Sequence, residues 1–282
     1  MSRVIVTGAS GFVGRAVVPR LLSLGYDVKP WSEPLDAIRH CRQAAQVVVH
    51  LAAASRQSGV ANDPGVMETR NLSGIEAVLD YCKVSGARCV FASTAGVYLH
   101  EGAVPLDEDG PVAPRDAYAE SKLAGEMLCR SASATLGIQC TILRLFNVYG
   151  PGQRPPFLIP CILESITERR TIELKMPEAI RDFVFVDDVA QAFVVAATRL
   201  VDGSDVFNVG TGRGTRVTDV MRVAARLLAM PAEWSVRASP CGEAAFSVAD
   251  IRRARTQLGW DPAVELEQGL ASTCARWSGS AS

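Results

Sequence analysis

Hydrophobic positions in the first half of the chain follow two rhythms in turn. Arg3–Thr7 is a short β-rich run ending at Gly8, and beyond it Val13, Val17, Leu21 and Leu24 recur at helical spacing until Gly25. Asp27–Trp31 reads as a second strand, Leu35–Ala45 as a short helix, and Val47–Leu51 as a run with almost no polar alternation. A strand of that kind is buried on both faces, as strands of parallel sheets are. A helix over about residues 65–85, a strand at Cys89–Ser93, a helix at Asp116–Leu136 and a strand at Cys140–Leu145 continue the series. Strand and helix in strict succession predict a Rossmann-type α/β fold with a doubly wound parallel sheet.

From Pro151 the rhythm weakens. Pro151, Pro155, Pro156 and Pro160 interrupt the chain before a helix near residues 161–168, and regular patterning returns at Phe183–Val195 and Val206–Val209. This predicts a Rossmann domain made of 1–150 and 183–210, and a smaller discontinuous substrate lobe made of 151–182 and 211–282. Ser278–Ser282 reads as a frayed tail.

Composition removes several classes of function. The 282 residues carry a formal net charge of −1, and no Lys/Arg run exceeds two residues, so the chain lacks the field that nucleic acid binding needs. No apolar stretch is long enough to span a bilayer, and residues 1–7 run into a strand without a signal-peptide pattern, which predicts a soluble, cytoplasmic protein. Eight cysteines include no CxxC pair and are expected to be reduced. His40, His50 and His100 lie far apart without metal-ligand spacing, so no metal is expected.

Candidate chemistry begins at Gly8, Gly11 and Gly14, a G-x-x-G-x-x-G run between strand and helix. Such a turn brings bare backbone against a pyrophosphate and aims helix N-terminal amides at it. Its place at the first strand-to-helix junction predicts a bound dinucleotide. Discrimination of NAD from NADP falls at the end of the second strand, where Ser32 stands with Glu33 beside it. Glu33 would repel a 2′-phosphate and favours NAD, whereas Arg15 at the helix start would attract one, so NADP is not excluded.

Tyr118 and Lys122 are four residues apart in a helical segment and share a face. A free phenol has a pKa of about 10, so service as a base near neutrality needs a drop of roughly 2 to 3, or about 3–4 kcal/mol. A nearby ammonium and a positive nicotinamide ring are expected to supply it. A Tyr-x-x-x-Lys pair by itself is as often exposed helix surface. Position adds weight, because the pair follows a strand whose end continues as Thr94, and open parallel sheets bind ligands beyond the carboxyl ends of their strands. Thr94 would hydrogen-bond the reacting oxygen, or merely cap the strand end.

Six stretches together resemble the extended short-chain dehydrogenase/reductase family, in its NAD-dependent epimerase/dehydratase branch. They are Thr7–Gly14, His50–Ala53, Ser93–Tyr98, Tyr118–Lys122, Arg144–Gly152 and Arg181–Val189. The resemblance implies that Thr94, Tyr118 and Lys122 form the family's catalytic triad. It also implies that Leu51, Ala52 and Ala53 form part of the cofactor shelf, with Phe12, Val13, Asn71 and Phe146 at the same site. Phe146 and Asn147 would border the sugar, and Arg181 would grip a nucleotide diphosphate.

Departures from the family pattern narrow the chemistry. Ala95 and Gly96 stand where dehydratases and decarboxylases of the family carry carboxylates, which disfavours elimination and decarboxylation. Fifteen residues, 32–46, separate the second strand from Val47, too few for the family's third strand. Near Gly242, where many members place a second diphosphate-binding arginine, the chain has Pro240 and Cys241, with Arg237 offset.

What remains is an NAD-dependent nucleotide-sugar epimerase, acting at C4 of a UDP-hexose. An NAD(P)H-dependent 4-ketosugar reductase is the second reading, and a non-enzymatic NAD(P) sensor, which has no need of Tyr118 and Lys122 in register with Thr94, is the third. The resemblance further implies a homodimer through the helices near 65–85 and 116–136. Val78, Leu79, Cys82, Leu123, Met127 and Leu128 are the apolar candidates for that interface, or ordinary core.

Overall fold

A computed structural model describes residues 2–54, 64–199, 204–236 and 244–277. Arg237, Pro240, Cys241, Gly242 and the tail Ser278–Ser282 lie outside the described residues.

The Rossmann half contains β1 (Arg3–Thr7), α1 (Gly14–Ser23), β2 (Asp27–Trp31), β3 (Val47–His50), α2 (Pro64–Ser85), β4 (Arg88–Thr94), α3 (Ala117–Leu136) and β5 (Cys140–Leu145). Then come β6 (Asn147–Tyr149), α4 (Leu158–Thr167), β7 (Ile172–Leu174), β8 (Ile180–Phe185), α5 (Val186–Thr198) and β9 (Ser204–Val209). The chain closes with β10 (Gly214–Arg216), α6 (Val217–Leu228), β11 (Trp234–Val236), β12 (Phe246–Ser247) and α7 (Leu266–Ala275).

Six parallel strands form the central sheet in the order β2-β1-β3-β4-β5-β9. Their uninterrupted apolar runs are explained by burial on both sides. Val4, Val6, Val47, Val49, Val90, Ala92, Phe207 and Val209 pack with α1 and α5 on one face. Ile5, Val48, Cys89, Phe91, Cys140, Ile142 and Val206 pack with α2 and α3 on the other. Each fully buried aliphatic or aromatic side chain contributes about 1.5–3 kcal/mol, so the two-sided sheet is the stable body on which the site is built.

Three expectations are corrected. The short helix placed at Leu35–Ala45 is a six-residue 3-10 turn, Leu35–His40. Pro34 fixes its start, and Leu35 fits where α2 has Gly74, whose absent Cβ would come 2.5 Å from the leucine Cδ2. Of the segment 183–210, the opening part, in β8, does not join the central sheet. β9 pairs with β5 at its edge and α5 packs on its face, but β8 pairs with β6, β10 and β12 in a separate four-stranded sheet. The helix expected at 161–168 begins earlier, at Leu158, because Pro160 falls in its first turn, where the missing N–H has no helical partner to lose.

As the short spacing implies, no strand lies outside β2 among the described residues, and β2 forms the sheet's edge. It carries Lys29, whose ammonium stands 5.1 Å from the Trp31 ring centroid, and Pro30. Seven cysteines among the described residues are free thiols, and Cys82, Cys89, Cys129 and Cys140 are buried between the sheet and α2/α3. No described helix is long and apolar enough to cross a membrane.

Candidate active site

Two clefts open beyond the carboxyl ends of the central strands and meet at Thr94. One, of 530 Å³, runs from the glycine turn to Tyr118, and the other, of 630 Å³, runs from Thr94 to Arg181. Leu145, Phe146, Asn147, Phe157 and Leu158 are common to both.

The first cleft is floored by backbone. Gly8 adopts φ +67°, a left-handed conformation, and a Cβ there would lie 2.7 Å from the Ala52 amide nitrogen. A Cβ on Gly14 would strike the Gly8 carbonyl and lie 2.7 Å from Ala9 Cα. The turn is closed by the Gly11 amide donating to the Gly8 carbonyl at 3.0 Å. Helix α1 then starts with no side-chain cap and no acidic residue in its first turn, so no side chain competes for its terminal amides. That donor set suits an anion, and a dinucleotide pyrophosphate fits it.

Of the residues expected at the cofactor, Gly8, Gly11, Phe12, Val13, Gly14, Leu51, Ala53, Tyr118 and Phe146 line this cleft. Others stand behind its wall. The Ala52 amide donates to Thr7 Oγ1 at 3.2 Å. Asn71 accepts from the Ala54 amide at 2.7 Å and donates to Ser121 Oγ at 2.9 Å, so it ties the β3 loop to α3. Ser32 and Glu33 are exposed beyond β2 and do not line the cleft. Arg15 donates to the carbonyls of Ser10 at 3.3 Å and Gly152 at 3.2 Å, strapping the glycine turn to the loop after β6. Gln153, buried on that loop and bonded to the Val148 carbonyl at 2.8 Å, lines the cleft without having been singled out in the sequence.

At the junction, Thr94 Oγ1 accepts from the Gly96 amide at 3.1 Å and caps the turn Ala95–Val97. The cap uses a lone pair and leaves the hydroxyl proton to donate, so capping and substrate contact are compatible. Tyr118 and Lys122 project from α3, which Asp116 starts by accepting from the Ala119 amide at 2.9 Å. The lysine is buried, its ammonium 4.9 Å from the Phe91 ring centroid and 5.7 Å from that of Tyr118. No carboxylate pairs with it among the described residues.

In the protein alone, burial dominates the titration of both groups. Burial, and then the Asp116 charge, push the Tyr118 phenol up to about 12. Burial brings Lys122 down to about 8. The ammonium lies 5.7 Å from the ring centroid and takes no part in setting the phenol's titration, which burial and Asp116 raise. Beside it, burial and then the Lys122 charge lower His50 to about 3. That ring is stacked 5.9 Å from Phe91, and its Nδ1 is 2.7 Å from Thr7 Oγ1. A neutral imidazole there adds no positive charge against the lysine.

The second cleft draws on separate segments. Asn147 donates to the Asp182 carbonyl at 3.0 Å, and Arg181 donates to the Ile180 carbonyl at 3.1 Å while lining the cleft. The surface pairing of Arg181 with Asp182 does not form. The Asp182 carboxylate is buried and accepts from the amides of Thr211, Gly212 and Ala249 and from the Thr211 hydroxyl. His100, Arg115, Glu173 and Lys175 also line this cleft. They are dispersed in sequence and carry no local motif.

An arrangement of this kind places the protein among the dinucleotide-dependent Rossmann enzymes of the short-chain dehydrogenase/reductase class. Known proteins make the assignment narrower. The family model described as the NAD dependent epimerase/dehydratase family matches residues 4–210. A UDP-glucose 4-epimerase of Mycolicibacterium smegmatis is 31% identical, across 96% of this chain and 97% of that one. The UDP-glucose 4-epimerase of Thermotoga maritima, solved with UDP-glucose, is 28% identical with a TM-score of 0.89 over 98% of both chains. That of Thermus thermophilus, solved in complex with NAD, is 28% identical with a TM-score of 0.86 over 99% of both. The chain belongs to the NAD-dependent epimerase/dehydratase family, and it is an enzyme of that family.

Proposed function

We propose that the protein is an NAD-dependent nucleotide-sugar epimerase that inverts C4 of a UDP-hexose. The observation that carries this reading is the meeting of a glycine-floored cleft and a polar cleft at Thr94, with Tyr118 on the wall of the first. The similar proteins from Mycolicibacterium smegmatis and Thermotoga maritima bear the same activity in their names.

NAD, when bound, would take the C4 hydride and return it to the other face of the ketosugar, and would add a positively charged ring to the cleft that Tyr118 lines. Thr94 Oγ1 donates to the C4 oxygen and holds it in line. Tyr118 Oη takes the proton of that oxygen and later returns it, with Lys122 stabilising the phenolate electrostatically. Burial and Asp116 hold the free phenol near 12, so Tyr118 would become a base only with that positive charge in place. Phe146, Phe157 and Leu158 exclude water along the wall common to both clefts. Arg181 grips the diphosphate, in keeping with its position on the cleft wall and with an Asp182 carboxylate fully engaged elsewhere. Residues 1–150 and 186–209 serve as the cofactor domain and the remainder as the substrate lobe.

The homodimer belongs to this proposal with a smaller interface than the sequence suggests. Val78, Leu79 and Cys82 are buried in the monomer's own core, Leu123 and Leu128 are half-buried, and Met127 is 64% exposed. Among the described residues, Met127, with Val84 at 84% and Leu136 at 47% exposure, is the large apolar surface α2 and α3 have left to offer.

The test is conversion of UDP-glucose to UDP-galactose by the purified protein without added NAD. Arg181→Ala should raise KM for the sugar nucleotide about ten- to a hundredfold, the loss of roughly 1.5–3 kcal/mol of charge-assisted contact. Stoichiometric consumption of NADPH with a ketosugar would instead establish the reductase, and an unchanged KM in the arginine variant would remove the diphosphate.

A further inference from the structure

The start of α3 is built against the Thr94 turn. Val112 forms an antiparallel bridge with Tyr98, the Leu99 amide donates to the Pro111 carbonyl at 2.9 Å, and the Ala113 amide donates to the Val97 carbonyl at 2.9 Å. This pairing carries the chain back along the turn and delivers Arg115 and Asp116 to the wall of the 630 Å³ cleft, which Thr94, Ala95 and Gly96 also line. A Cβ on Gly96 would meet the Ala119 methyl at 3.3 Å, so the first turn of the helix packs on that corner.

Asp116 is exposed to the cleft, and its Oδ1 accepts from the Ala119 amide at 2.9 Å. Asparagine or serine would cap the helix as well. What the carboxylate adds is a negative charge beside Thr94, at the end of the cleft where the C4 oxygen is held. Burial, and then that charge, raise the pKa of the Tyr118 phenol. The cleft's cations bear on other groups. Arg115 donates to the His100 carbonyl and, with Arg181, acts on the His100 ring. Arg181 stands on β8, and Lys175 follows β7.

Epimerisation makes the hexose meet this wall from two sides. A hydride taken from C4 and returned to the opposite face by the same cofactor requires the ketosugar to turn over between the transfers. Turning over exchanges the C3 and C6 sides of the ring while C4 stays at Thr94. The C6 substituent therefore lies toward Asp116 in one of the two poses. A hydroxymethyl group there donates to the carboxylate. A C6 carboxylate instead meets a like charge, in a cleft whose Phe146, Phe157 and Leu158 walls reduce screening by water.

We propose that Asp116 is a specificity-determining residue, which admits hexoses with an uncharged C6 and rejects hexuronates. This rests on the C4-epimerase reading above. The experiment compares UDP-glucose with UDP-glucuronate as substrates of the NAD-loaded protein, following the 4-epimer of each by NMR. The wild type should favour UDP-glucose by about 100-fold in kcat/KM. Added salt should narrow that gap by screening the repulsion, since the diphosphate common to both sugars cancels. Asp116→Asn keeps an acceptor for the Ala119 amide and removes the charge. It should shift the ratio toward the uronate by about tenfold or more and leave the ratio insensitive to salt. Any change in the titration of Tyr118 affects both sugars alike, so a residue that only caps the helix would not move the ratio. Asp116→Ser, which also caps, decides if the asparagine variant does not fold. Equal use of both sugars by the wild type overturns the inference, as does an unchanged ratio in the uncharged variants. Turnover of neither sugar overturns the nucleotide-sugar reading itself, and the inference falls there only with its premise.

Discussion

Lys122 and Glu126 lie one turn apart on α3, both buried, and the fold treats their charges in opposite ways. Glu126 accepts from Ser93 Oγ at 2.5 Å and from Arg144 at 2.9 and 2.7 Å, a bidentate pair whose guanidinium also donates to the Glu108 carbonyl. Burial alone would lower the Arg144 pKa, but Glu126 outweighs it and the group titrates above its ordinary value. Lys122 has no such partner among the described residues, and burial brings it down to about 8. The saturated charge does structural service. It ties α3 to Ser93, adjacent to Thr94, and to Arg144, adjacent to Leu145 at the cleft wall, so Tyr118 and Thr94 keep their register. The bare charge is unstable by itself and therefore available to a ligand.

The contrast can be broken first at the phenol that the bare charge serves. Tyr118→Phe should reduce turnover about 100- to 10,000-fold while cofactor affinity stays within a few fold, as steady-state kinetics and NAD titration would show. Retention of a tenth of kcat would remove Tyr118 as the base. Next in size is Glu126→Ala, which strands Arg144 in the core. Denaturant unfolding should report a loss of about 3–5 kcal/mol, and a loss below about 1 would mean that the pair is not holding the helix.

Smallest, and opposite in sign, is Lys122→Met. A lysine whose folded pKa lies below its unfolded value costs stability in full below the folded pKa, and the cost is relieved as pH rises toward the unfolded one. For Lys122 that window runs upward from about 8. The methionine variant should therefore be inactive yet more stable than the parent by ~1–3 kcal/mol at neutral pH in the absence of cofactor. The advantage should shrink as pH rises above 8. A destabilised variant would show that the ammonium is paired after all.

Sequence made one side of this comparison visible and hid the other. The glycine turn, Thr94 and the Tyr118/Lys122 pair were legible because each is local, set by strand-end position or by four-residue helical spacing. Glu126 and Arg144 are 18 residues apart, and Ser93 and Glu126 are 33 apart, so nothing in the spacing announces their contact. His100 is likewise an isolated histidine until the fold carries it to the Arg181 strand. The effect of burial on the tyrosine's pKa is hidden for a related reason. Proximity of an ammonium along a helix is readable from sequence, but the desolvation of both groups is a property of the packed core. Membership of β8 in the smaller sheet was also hidden, since an apolar run fits either sheet equally well.

The free edge of the central sheet carries a consequence for how the molecule meets its own copies. An uncovered strand offers unpaired amides and carbonyls, and another chain can add to it. In β2 that invitation is withdrawn by Pro30, which contributes no amide hydrogen, and by the charged Lys29 beside it. With fifteen residues in place of an outer strand, these two positions become the molecule's guard against strand-to-strand self-association. Valine at position 30 would leave catalytic chemistry on the far side of the cleft untouched while converting a quiet margin into a template for aggregation.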